Sequence, residues 1–312
     1  MIIPFPTLWR TLVAICILLQ TLSCSSVQKS SITKESESSI IAENANLVLI
    51  SDQFSFTEGP ASDNDGNVYF TDQPNNKIWL IDTAGQLSVY LEKSGRSNGL
   101  YFNNNGNLIT CADENNELWE IDDKKKITVL LNSFNGSRFN GPNDVWVSPK
   151  GRIYFTDPYY KRPYWPEERA HITEQNVYYM RTTTSKPIVV ADQFIRPNGI
   201  IGSLDGKYLY VADIGGNKTF RYTIKKDGSL KDKQLFANMG SDGMTTDNLG
   251  NLYLTGKEGV TVFNKSGKQI KLISVPQSWT ANVCFGGKNH NKLFITASKA
   301  IYSLEMKVSG IK

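Results

Sequence analysis

Histidine is almost missing from this chain: its 312 residues hold two, His171 and His290. A Ser-His-Asp relay therefore has few ways to be assembled. Cysteine is scarce as well, with Cys16 and Cys24 near the start and Cys111 and Cys284 far apart in the body. Spacing supports no disulfide between the last two, and two buried free thiols are expected. With so little thiolate and imidazole, a structural zinc site is disfavoured. Charge of one sign is lacking too: 34 Lys and Arg face 30 Asp and Glu, a net +4. The small basic groups Lys124-Lys125-Lys126 and Lys225-Lys226 fall where turns are expected. No basic stripe with interleaved aromatics accompanies them, so a nucleic-acid partner is not expected.

The one sustained apolar run near the N-terminus, residues 12–19, is too short to cross a bilayer. Arg10 precedes it and Thr21-Leu22-Ser23-Cys24 follows, so residues 1–23 read as an export signal. The ending resembles a bacterial lipobox with Cys24 as the acylated first residue, although Thr21 stands where leucine is usual. An exported protein follows, a periplasmic or outer-membrane lipoprotein whose only membrane contact is its lipid. Residues 24–46, rich in Ser, Glu and Lys, read as a disordered tether.

From 47 to 312 one pattern keeps returning. A polar residue opens an apolar run, a turn position follows eight residues later, and a second apolar run comes next. The openers are Glu58, Asn98, Asn143, Asn198, Asp242 and Asn282; the turn positions are Gly66, Gly106, Gly151, Gly206, Gly250 and His290. Steps between openers are 40, 45, 55, 44 and 40 residues, near the span of a four-stranded propeller blade. β-Branched and aromatic runs joined by Asp-Gly, Asn-Gly and Gly-Asn pairs read as hairpins. The fold class is thus all-β, a six-bladed β-propeller of four-stranded blades. Leu47-Val48-Leu49-Ile50 lacks a hairpin partner and is expected to supply the outer strand of the last blade. The longest step holds Asp157-Pro158-Tyr159-Tyr160-Lys161-Arg162-Pro163-Tyr164-Trp165-Pro166, too stiff for a plain linker. It reads as a pocket wall or lid, or else as a rim loop packed on its own blade.

If the copies are superposable, the six openers meet near the central axis. Every one carries a side-chain oxygen, which suits a hard divalent cation. Calcium fits best, with magnesium, manganese or zinc as alternatives. Asn-Gly pairs alone mean turns, and a polar tunnel can simply be wet. Tyr159, Tyr160 and Trp165 could stack on a sugar-like ring or on one another.

Glu58-Gly59-Pro60, Gly141-Pro142-Asn143-Asp144, Tyr154-Phe155-Thr156-Asp157-Pro158, Pro197-Asn198-Gly199 and Asp242-Gly243-Met244, in that order, resemble the senescence marker protein, gluconolactonase and luciferin-regenerating-enzyme-like family. The resemblance runs from about residue 48 to the end. It implies a six-bladed propeller with one divalent ion at the axis and hydrolysis of a lactone; a monomer is expected. Glu58, Asn198 and Asp242 resemble the family's metal ligands and Asn143 a fourth. Asp242 would be the general base, with Glu58 second in line. Asn98, Asn140, Tyr159, Tyr160 and Asn282 are the candidate substrate contacts. Some relatives hold substrate with an arginine near the Asn143 motif; here Arg138 lies five residues before it. A phosphotriesterase-like hydrolase and a non-catalytic sugar- or peptide-binding propeller with a structural ion are the alternatives.

Overall fold

A computed structural model describes residues 39–165 and 172–310. The expected signal, Cys24 and the tether up to residue 38 lie outside the described residues, as does His171. Among the described residues, six antiparallel sheets of four strands each run in sequence order, giving a six-bladed β-propeller. A small hairpin, Ser133–Phe134 against Ser137–Arg138, sits between the second and third blades.

The inner strands of each blade are almost wholly buried. In Leu108–Ala112 and Ile153–Asp157 every residue is buried, because each sheet is covered on both faces by its neighbours. Outer strands alternate or face solvent, as Ile127–Leu131 and Leu230–Ala237 do. Aromatic edges fill the wedges between blades: Phe139 lies edge-on to Phe155 and Tyr178, with ring centroids 5.5 and 5.2 Å apart.

The ring closes through its ends, as the unpartnered first strand suggested. Val48–Ser51 pairs antiparallel with Ala300–Glu305, placing Val48 opposite Ser303. The expected tether proves too long at its C-terminal end. Ile40 is buried in the core of the last two blades, its carbonyl accepts from Lys307 N at 2.8 Å, and Ile41 bridges Met306. Two adjacent isoleucines bring enough apolar surface to dock what composition alone assigned to a disordered stretch.

The blades are stitched together next to the axis by threonines at corresponding places in their second strands. Thr71 Oγ1 donates to Asn98 O at 3.1 Å, Thr156 Oγ1 to Asn198 O at 2.8 Å, and Thr255 Oγ1 to Ala281 O at 2.8 Å. Each hydroxyl ties one blade to the opener, or its neighbour, in the next blade. The aspartates that end several second strands secure the entry of their own inner strand. Asp213 accepts from Ile195 N and Arg196 N at 3.1 and 2.8 Å, and Asp157 from Asn140 N and Gly141 N at 3.0 and 2.8 Å.

Candidate active site

All six openers lie on, or two residues before, the innermost strand of their blades: Thr57–Ser62, Ser97–Phe102, Val145–Val147, Pro197–Gly202, Met244–Thr246 and Thr280–Gly286. In four of these strands the pairing register shifts at or beside the opener. Such bulges re-aim a side chain that regular pleating would bury in the sheet stack. Glycine follows four of the openers because the next blade's backbone is close. A Cβ on Gly59, whose φ is +38°, would meet Asn98 O at 2.2 Å. Asn282 packs its amide against the Cα of Gly243 in the same way.

Four openers form one connected cluster. Asn198 Nδ2 donates to Asp242 Oδ1 at 2.7 Å and to the Tyr160 hydroxyl at 3.0 Å. Trp279 Nε1 donates to Asp242 Oδ2 at 2.7 Å. Glu58 Oε2 accepts from Gly59 N at 2.8 Å and from Asn282 Nδ2 at 3.3 Å. Asn98 and Asn143 occupy the corresponding ring places with buried side chains, and their carbonyls accept from Thr71 and from Gly99 N.

Burial dominates the electrostatics of this cluster. Burial, and then the charge of Asp242, raise the Glu58 carboxyl well above the usual range. Burial pushes Asp242 up to about 6, against the pull of Trp279, Asn198 and the Arg162 guanidinium. Asp144 is pushed up to about 7 by burial; its oxygens accept from Val145 N at 3.0 Å and Ile200 N at 3.2 Å. With its Nδ2 committed, Asn198 turns a buried Oδ1 that has no hydrogen-bond partner. Among the described residues no group of three or more His, Cys, Asp or Glu side chains is arranged to hold an ion. A cation here would therefore depend on amide oxygens beside the two acids. An orphaned amide oxygen on the residue that holds Asp242, in a cluster where Glu58 and Asp242 repel one another, fits a hard, oxygen-seeking divalent ion.

The insertion does not stay on its own blade. It is clasped to Asp113 of the second blade, whose Oδ2 accepts from Arg162 Nε and the Tyr164 hydroxyl, both at 2.6 Å, and from Gln73 Nε2 at 3.0 Å. Trp165 Nε1 donates to the Asp113 carbonyl at 2.9 Å, and the Arg96 guanidinium lies 4.4 Å from the Tyr164 ring centre. The clasp holds Tyr160 over the cluster. Tyr159 is turned another way: its backbone N–H meets Gln175 Oε1 at 2.8 Å and its ring lies 6.2 Å from that of Trp165.

Other candidates fall outside the cluster. Asn140 spends its Nδ2 on the Glu174 carbonyl at 3.0 Å, and so holds the loop that carries Asn143. Arg138 sits on the small hairpin. His290 is buried at a hairpin turn, with Nε2 3.3 Å from Asn64 O. A cavity of about 460 Å³ fills the other end of the tunnel, lined by Tyr101, Trp146, Met244 and Phe285, with Asp144 and Asn282 at its edge. The acidic cluster lies toward the insertion and Trp279 instead. Cys111 and Cys284 are buried free thiols, as expected. Trp279, Arg162, Arg196 and the clasping Asp113 were not singled out from sequence; none belongs to the repeating register.

Comparison with known proteins agrees with this architecture. The family model described as SMP-30/Gluconolactonase/LRE-like region matches residues 56–299. The chain is 27% identical over 295 residues to the gluconolactonase of Zymomonas mobilis, covering 85% of this chain and 82% of the relative. It superposes on the gluconolactonase of Xanthomonas campestris with a TM-score of 0.80 at 26% identity, covering 86% and 91% of the two chains. Regucalcin of Agrobacterium tumefaciens, a calcium-binding protein, shares the fold at TM-score 0.71 and 19% identity, over 85% and 95% of the two chains.

Proposed function

We propose, since the chain belongs to the SMP-30/gluconolactonase/LRE-like family, that it is a lactonase that opens a sugar-type lactone with water at the mouth of its axial cluster. The observation that carries the reading is the unpartnered, buried Oδ1 of Asn198, whose Nδ2 holds Asp242 at 2.7 Å. Glu58, Asn198 and Asp242, with Asn143 beside them, are the residues that would hold a divalent ion, calcium best matching an all-oxygen set. When bound, the ion would polarise the lactone carbonyl and stabilise the oxyanion that develops there.

Asp242 is the better base of the two acids. It is partly exposed whereas Glu58 is buried, and Asn198 and Trp279 fix its oxygens from two sides. Its carboxylate, placed by those two donors, can take the proton of an attacking water. Water attacks the carbonyl carbon while its proton passes to Asp242. The ring C–O bond then breaks, the alkoxide leaving group takes up a proton, and a hydroxy acid results. The Tyr160 ring forms the wall against which a sugar-like ring can lie.

The test is hydrolysis of gluconolactone by the purified protein before chelation, after chelation, and after adding back calcium, magnesium, manganese or zinc, with an organophosphate ester assayed in parallel. Lactone turnover that disappears on chelation and returns with a metal supports the reading. Turnover indifferent to chelation removes the ion, and turnover of the phosphate ester alone removes the lactone.

A further inference from the structure

Two guanidinium groups approach the Tyr160 ring, the Cζ of Arg162 at 5.4 Å from its centre and that of Arg196 at 4.9 Å. They come from different elements. Arg162 belongs to the insertion, and Arg196 immediately precedes the inner strand Pro197–Gly202 that carries Asn198. The Tyr160 hydroxyl accepts from Asn198, so both cations stand one tyrosine ring away from the candidate ion ligands.

The fold pairs Arg162 with Asp113 through one nitrogen and leaves the Arg196 charge unpaired. Asp113 binds Arg162 through Nε, and the described residues offer its two terminal nitrogens no acceptor. Arg196 is exposed and makes no ion pair among the described residues; its backbone N–H donates to Asp213, its carbonyl accepts from Ile214 N, and its guanidinium meets the face of Tyr160. A neutral sugar ring needs an aromatic face, which Tyr160 alone provides. Two arginines beside that face repel one another and are weakly hydrated, and their donor forks match the oxygens of a carboxylate, phosphate or sulfonate.

Resting on the lactonase reading, we propose that the preferred substrate is a lactone bearing an oxyanion substituent remote from its ester, and that Arg196, with Arg162, is the residue that selects it. The ester carbonyl faces Asp242 and the charged arm lies toward the arginines. The acidic cluster and the cationic mouth thereby orient the substrate from opposite ends.

Gluconolactone and glucarolactone test this, because they differ only in a terminal hydroxymethyl against a carboxylate. In the wild-type protein with calcium, kcat/KM for the charged lactone is expected to exceed that for the neutral one by about tenfold or more, mainly through KM, and to fall as salt is raised. Arg196→Gln is expected to reduce that ratio about tenfold, the loss of one charge-assisted contact. Calorimetry supplies a readout without turnover: glucarate binds the wild type more tightly than gluconate does, and Arg196→Gln binds the two alike. Equal kcat/KM for both lactones, or a ratio unchanged in Arg196→Gln, overturns the inference and leaves the lactonase reading standing. Turnover of neither lactone overturns both.

Discussion

Asp242→Asn separates the chemistry from the fold, because the replacement keeps the shape and removes the charge. In the parent, burial raises this carboxyl from 3.8 to about 6, so an ionised Asp242 costs the folded state about 3 kcal/mol at neutral pH, at 1.36 kcal/mol per pKa unit. Removing the charge returns most of that. Against it stands one lost hydrogen bond: an amide oxygen can still accept from Asn198, but an amide NH2 then faces Trp279 Nε1, donor against donor. That mismatch costs about 1–3 kcal/mol. The two effects nearly cancel, so metal-free Asp242→Asn is expected to melt within a few degrees of the parent by calorimetry at pH 7.5. Activity is not protected in this way. Loss of the general base alone removes about 10²–10⁴ of the rate, and loss of a charged ligand weakens ion binding further. A pH-stat assay of gluconolactone hydrolysis at saturating calcium measures the drop. A folded variant that retains activity within tenfold of the parent would refute the assignment of Asp242.

Two further outcomes follow from the same residues. Asp144, Asp157 and Asp242 are raised to about 7, 7 and 6 by burial, so the folded state holds protons that the unfolded chain has already lost. Stability of the metal-free protein is therefore greatest near the unfolded carboxylate range and declines as pH climbs from about 4 through 7; melting curves across that range, with and without calcium, check it, and a metal-free Tm that rises over this interval would contradict the burial argument. Thr156→Val removes a hydroxyl that donates to Asn198 O at 2.8 Å and accepts from Asp144 N at 3.2 Å, leaving buried backbone groups unpaired at a cost of roughly 2–4 kcal/mol. Thr110→Val removes a buried hydroxyl with no partner and is expected to be neutral or stabilising, so equal losses of Tm in the two variants would discount the threonine ties.

The repeat could be read from sequence because one spacing, opener to turn, is imposed by the geometry of a strand feeding a hairpin, and that geometry recurs in every blade. The same constraint brought Glu58, Asn198, Asp242 and Asn282 to one place, since residues at equivalent points of superposable sheets converge when the sheets close a ring. The threonines that anchor the openers were visible too, as the recurring final residue of the second runs, but their role depends on which carbonyl of the next blade they reach. Residues outside the period carry no such signal. Trp279 reaches Asp242 from three residues before Asn282, and Arg162 reaches Asp113 across a gap of 49 residues; no spacing rule links either pair. The two kinds of residue divide the site's work accordingly. The repeating oxygens form the floor, where any member of a ring of equivalent strands can contribute. The non-repeating aromatic and cationic groups form the wall, and a wall drawn from one insertion can change its choice of substrate without disturbing the ring beneath it.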